Sequence, residues 1–146
     1  MKSNIAYKTN LLASYYNTNR IYWDQFYESE RVIISQLGLT KNTRVLDIGC
    51  GCGGLGLALR DQFDVQNYTG VEINSFAAEA AKTMNSKAQI YSVDILDLGE
   101  NILNEKQFDV VFSLSCVDWN VQFDEMLNSA WEFVRPGGSL VCTLRL

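Results

Sequence analysis

The 146-residue chain has no histidine and a single proline, Pro136. Without His, the usual general base and metal ligand near neutral pH is missing, so any proton transfer falls to carboxylates or tyrosines. One proline excludes a Pro-rich linker, and no repeat or low-complexity tract appears. No apolar run approaches the roughly 18 residues of a membrane span. The first twenty residues, "MKSNIAYKTNLLASYYNTNR", lack the uninterrupted apolar core of a signal peptide. A cytoplasmic protein without membrane association is therefore expected. Dense Lys/Arg runs are also absent. The net charge of −5 is uneven: residues 1–46 carry six Lys/Arg against three Asp/Glu, and residues 47–146 carry six against fourteen. So acidic a body disfavours a large nucleic-acid footprint, which needs several phosphate-neutralising cations.

Cysteine is sparse. Cys50 and Cys52 form a lone C-x-C, with Cys116 and Cys142 far off in sequence. Without His this is a poor zinc site, and no metal is expected. The four read as small buried residues in a reducing compartment.

What the chain does have is alternation. Apolar, β-branched stretches at Thr43–Ile48, Tyr68–Ile73, Gln89–Val93, Phe108–Ser115 and Ser139–Leu144 read as five strands. Helical patterns separate them at Gly54–Phe63, in "FAAEAAKTMN" capped by Asn74 or Ser75, and in "VQFDEMLNSAWEFV". In the last of these, Phe123, Met126, Leu127, Ala130, Trp131 and Val134 share one face. "LGENILNEKQ" reads as a short, poor helix, and "RPGG" as the stop and turn before strand five. The fold class expected is α/β, a doubly wound and mainly parallel sheet with helices on both faces. Asn19–Leu39 predicts an amphipathic helix closed by Gly38. Residues 1–42 are thus an N-terminal helical extension or lid, with Tyr15, Tyr16, Tyr22 and Trp23 as aromatics. Residues 43–146 are the core of what reads as one domain.

Glycine is concentrated where strand one ends. "RVLDIGCGCGGLG" holds five glycines in eight positions, Gly49, Gly51, Gly53, Gly54 and Gly56. Glycine in a regular element costs conformational entropy, so a tight turn or a close backbone approach is required. In doubly wound sheets, ligands sit at the carboxyl ends of the strands. Three acids fall at successive strand ends around this loop: Asp47 before the glycines, Glu72 18 residues after Gly54, and Asp94. A carboxylate at the end of strand two can accept both protons of a ribose diol. Each acid also has a plainer reading: Asp47 on turn amides, Glu72 as a solvated strand end, Asp94 in an Asx-turn.

In that order, "VLDIGCGCGGLG", "GVEIN", "SVDILDL", "FDVVFSLSCVDW" and "RPGGSLVCTLRL" resemble the motifs of the class I S-adenosylmethionine-dependent methyltransferases. The likeness covers residues 43–146 and implies a Rossmann-like sheet of order 3-2-1-4-5. It implies S-adenosyl-L-methionine as cofactor, with S-adenosyl-L-homocysteine as product. Carried over, Asp47, Gly49 and Gly51 line the methionine end, Glu72 binds the ribose hydroxyls, and Ile73 packs on the adenine. Asp94 accepts from the adenine amino group beside Ile95, and Ser113 approaches the reacting centre. Asp118 stands where many small-molecule relatives carry His, which makes it the candidate base. The Asn-Pro-Pro-Tyr signature of amino-directed nucleic-acid methylation is missing, so a small-molecule acceptor is implied. Family members continue through strands 6 and 7, whereas this chain stops at Leu146 as a truncated member would. Strand five would then be an open edge, available to a second copy in a homodimer or covered by the N-terminal extension. Three other readings stay open: a cofactor-binding module without activity of its own, a nicotinamide-dependent oxidoreductase, which Asp47 and the Pro-Gly-Gly turn disfavour, and a nucleic-acid methyltransferase, which the acidic body disfavours.

Overall fold

The computed structural model describes residues 11, 18–98, 103, 107–114, 116 and 120–144. Tyr7, Tyr15, Tyr16, Asp118, Leu146 and most of "LGENILNEKQ" lie outside the described residues. The elements run α1 (Glu28–Ser35), β1 (Arg44–Ile48), α2 (Gly54–Phe63), β2 (Asn67–Glu72), α3 (Ser75–Met84), β3 (Gln89–Ser92), β4 (Phe108–Ser113), α4 (Phe123–Glu132) and β5 (Val134–Cys142). Short 3-10 turns at Trp23–Gln25 and Ile95–Asp97 complete the described chain.

The five strands are all parallel, in the order β3-β2-β1-β4-β5. This is the expected order, and β1 lies at its centre. Side-chain alternation along β1 and β4 divides the core between the two faces. Val45, Val110 and Phe112 join Phe26, Ile34, Leu55 and Leu59 on the side of α1 and α2. Leu46, Ile48 and Val111 join Met126 and Ala130 on the side of α4. Both faces are covered, which is why the central strands read as nearly continuous apolar runs. Among the described residues no helix is long and apolar enough to cross a membrane.

Three sequence expectations need correction. The helix expected over Asn19–Leu39 is only the eight residues of α1, preceded by a 3-10 turn, and its C-cap is Gln36 rather than Gly38, which lies two residues further on with a φ of +67°. Glu30 is the reason for the break. Its Oε2 accepts from the Tyr27 amide at 3.0 Å, opening α1 there, while both its oxygens take the Arg20 guanidinium at 3.1 and 3.2 Å. Trp131 was expected on the buried face of α4 but is 62% exposed, because the stripe is narrower and centres on Met126 and Ala130. Strand five begins earlier than Ser139. Phe108 pairs with Val134 and Val110 with Ser139, so four residues, Arg135 to Gly138, bulge out opposite Asp109 alone. The Pro-Gly-Gly turn is that bulge, with Gly137 at a φ of +79° and the Arg135 guanidinium bonded to Asp109.

Candidate functional site

The glycine loop leaves β1 at the carboxyl edge of the sheet and is stitched to the end of β2. The amides of Gly49 and Cys50 both donate to the Val71 carbonyl, at 2.8 and 3.1 Å. The Gly51 amide donates to Glu72 Oε2, and the Asn74 amide to Glu72 Oε1, each at 2.8 Å. Asn74 in turn caps α3, its Oδ1 accepting from the Ala77 amide. One carboxylate thus ties the loop after β1 to the loop after β2. Glu72 is buried at 5% exposure rather than a solvated strand end, and burial raises its pKa above the ordinary value.

The five glycines do different jobs. A Cβ on Gly49 would meet Cys116 Sγ, one on Gly53 the Ala81 side chain, one on Gly54 the Arg20 carbonyl, and one on Gly56 the Tyr68 ring. These four make room for protein. At Gly51 a Cβ would meet nothing within 4 Å among the described residues, and the φ of +55° is one that L side chains rarely adopt. Of the five loop glycines, this is the one whose backbone borders space clear of described atoms. Cys50 and Cys52 are buried as expected, Cys50 against Gly70, whereas Cys116 and Cys142 are only partly buried; none of the four is in a disulfide.

Asp47 is buried at 4% exposure, and its Oδ2 accepts a 2.5 Å hydrogen bond from the Tyr68 hydroxyl, itself buried. Desolvation raises the Asp47 carboxyl from 3.8 to about 7, against lowering by the Tyr68 bond and by the field of Arg20. The folded state therefore binds this proton more tightly than the unfolded chain. The stabilisation that follows is complete below about pH 4 and is lost as pH rises through 7. At neutral pH and above, the buried acid costs stability.

The other expected site residues lie along the same edge. Asp94 caps the turn after β3, its Oδ1 accepting from the Leu96 amide at 2.9 Å, which is the Asx arrangement. Ile73 is half-buried, and Ile95 is buried in the cluster beneath α4. Ser113 is fully buried at the end of β4, its carbonyl accepting from the Thr143 amide. Asp47, Gly51 and Glu72 are brought together. Asp118 lies outside the described residues. Sequence reasoning missed Tyr68, Arg20 and Glu30; the only signal was a tyrosine two residues before Gly70, on the strand beside Asp47.

A family model described as a methyltransferase domain matches residues 46–140. The chain belongs to the class I methyltransferase family. That assignment sets the oxidoreductase reading aside. The chain is 31% identical over 100 residues to a malonyl-[acyl-carrier protein] O-methyltransferase of Brevibacillus brevis, covering 66% of this chain and 36% of that protein. It is 24% identical over 149 residues to phosphoethanolamine N-methyltransferase 3 of Arabidopsis thaliana, covering 96% and 29%. Among solved structures it resembles phosphoethanolamine N-methyltransferase 2 of Haemonchus contortus, in complex with phosphomonomethylethanolamine and S-adenosylhomocysteine. The TM-score there is 0.70 at 22% identity, covering 92% of this chain and 32% of that one. The chain thus spans about a third of the length of these curated relatives.

Proposed function

We propose that this chain binds S-adenosylmethionine along the carboxyl edge of β1, β2 and β3, and that the protein methylates a small molecule. The observation that carries the reading is the space beside Gly51 that is clear of described atoms, on the loop that leaves buried Asp47 and is bonded to buried Glu72. Glu72 accepts from the amides of Gly51 and Asn74, one on each oxygen, and the Ile73 amide also acts on it; a carboxylate has about four acceptor sites, so capacity is left for a ribose hydroxyl. Asp47, Gly49 and Gly51 would hold the methionine end, Ile73 and Ile95 the adenine ring, Asp94 its amino group, and Ser113 the reacting end. When bound, S-adenosylmethionine supplies a methyl group already activated toward displacement. The chain's residues then have to fix its position, exclude water and align the acceptor. Asp118 is the candidate base for an acceptor that must lose a proton. The relatives' names support a small acceptor without selecting one, since one is an acyl-carrier-linked acid and the other an amine. Free thiols throughout fit a reducing cytoplasm.

Calorimetric titration tests the cofactor: S-adenosylhomocysteine should bind and NADH should not. Glu72→Ala is expected to weaken S-adenosylhomocysteine by about 2 kcal/mol, roughly 30-fold, the contribution of charge-assisted hydrogen bonds. Unchanged affinity in a folded variant rejects Glu72 as the ribose ligand. A methyl-release assay against amines, phosphobases and carboxylic acids identifies the acceptor. Methyl release from none of them, with cofactor binding intact, supports the second reading, a binding module without activity of its own.

β5 pairs with β4 alone among the described strands, so its outer amides and carbonyls form an edge, with Leu144 48% exposed beyond it. We propose that a second copy covers it. Light scattering should then read a dimer, with β5 amides slow to exchange. A monodisperse monomer with freely exchanging β5 amides is the contrary result.

A further inference from the structure

Tyr68 stands one register step behind Asp47. Val45 pairs with Tyr68 and Asp47 with Gly70 across β1 and β2, and residues two apart on a strand share a face. Gly70, directly opposite Asp47, has no side chain to intervene. The tyrosine ring therefore lies along the sheet and delivers its hydroxyl to Asp47 Oδ2 at 2.5 Å. It is locked there, since a Cβ on Gly56 would come within 2.7 Å of its ring carbons. Tyr68 is 2% exposed and Asp47 4%. A phenylalanine would fill this core position without a hydroxyl to satisfy, so packing alone does not explain the tyrosine.

We infer that Tyr68 is a positioning residue for cofactor binding, its hydroxyl fixing Oδ2 so that Asp47 presents Oδ1 toward the methionine end of the site. The inference rests on the proposed role of Asp47. It also predicts control of charge. A hydrogen bond donated to a carboxylate favours the ionised form, and an ionised Asp47 is what the cationic end of an amino acid requires. The other groups acting on Asp47 are Arg20 from the N-terminal segment, which favours ionisation, and Glu72 and Glu30, which oppose it. Cys50 in the glycine loop is the remaining titratable neighbour, a thiol that burial pushes well up. Among the described residues Tyr68 is the group whose side chain bonds directly to the carboxylate.

The test uses the whole chain and two readouts. In ligand-free protein, carbon-13 NMR of the Asp47 carboxyl should titrate near pH 7 in the wild type and higher in Tyr68→Phe. Tyr68→3-fluorotyrosine keeps the shape, donates more strongly, and should move the midpoint the other way; it serves if the phenylalanine variant does not fold. S-adenosylhomocysteine binding, measured by calorimetry across the same range, should weaken in the wild type as pH falls below about 7. In Tyr68→Phe that profile should shift to higher pH, with affinity at pH 7 down about tenfold, the effect of one hydrogen bond. A merely structural tyrosine would change stability and leave the pH profile where it was. Coincident profiles and an unmoved Asp47 midpoint overturn the inference. If the wild type binds no S-adenosylhomocysteine at any pH, the function proposed above fails, and an unmoved midpoint on the NMR arm still overturns Tyr68's hold on Asp47.

Discussion

Replacing Gly51 by valine is expected to abolish cofactor binding while the sheet and helices stay in place. Two independent effects act in one direction. The backbone at Gly51 has a φ of +55°, where a β-branched residue is strained by about 1–2 kcal/mol, so the loop would relax away from its present path. That movement would pull the Gly51 amide off Glu72 Oε2, the bond that joins the loop to β2. Wherever the backbone settles, the new methyl groups occupy space that is now open beside it. The loss in S-adenosylhomocysteine affinity should exceed about 100-fold, the sum of a lost contact surface and a displaced amide. Circular dichroism should report near-native helix content, because among the described residues no atom beyond the chain neighbours lies within 4 Å of the added Cβ. Gly51→Ala should give an intermediate loss. Normal binding by a folded Gly51→Val variant would mean that this glycine serves only the turn, and the proposed cradle would go with it.

Different physical signals made the fold and the site legible to different degrees. The elements and the parallel, doubly wound sheet followed from alternating apolar runs and helical patterns, which are local and repeated, while the strand order came from the family resemblance. The register jump at Arg135–Gly138 was not legible, since "RPGG" indicates a turn without saying how many residues of β4 it spans. The carboxyl-edge acids were legible because position at a strand end is itself the signal. Their partners were not. Tyr68 meets Asp47 across a separation of 21 residues, and the meeting depends on register and on the empty side of Gly70. Arg20 meets Glu30 and lies over the rings of Phe26 and Tyr27 at 4.3 and 5.6 Å, an arrangement that depends on where α1 starts. Trp131 shows the opposite failure. Helical spacing put it within the apolar stripe of α4, but spacing does not give the width of the surface that the stripe meets.

The largest structural effect is expected at Gly54. It is the first residue of α2, where helix propensity alone predicts that alanine stabilises by up to about 1 kcal/mol. The surroundings predict the reverse. A Cβ at Gly54 would stand 1.7 Å from the Arg20 carbonyl oxygen and 2.7 Å from its carbon, both backbone atoms that no rotamer change can move. The Arg20–Ile21 segment would have to leave. With it would go the Arg20–Glu30 ion pair, whose carboxylate is buried, and the edge-on contact of Trp23 with Phe63 at 5.1 Å. Glu30 would be left buried without its cation, a state that costs several kcal/mol unless the segment around it also opens. Gly54→Ala should therefore lower stability by about 2–4 kcal/mol in denaturant unfolding. Trypsin should cut the folded variant at Arg20 and Arg31 faster than it cuts the wild type. Because Arg20 favours the ionised form of Asp47, detaching it should also raise the pH at which S-adenosylhomocysteine binding is half lost. A gain in stability, with wild-type proteolysis, would show that the N-terminal segment is not held against α2, and that Gly54 is present for the helix start alone.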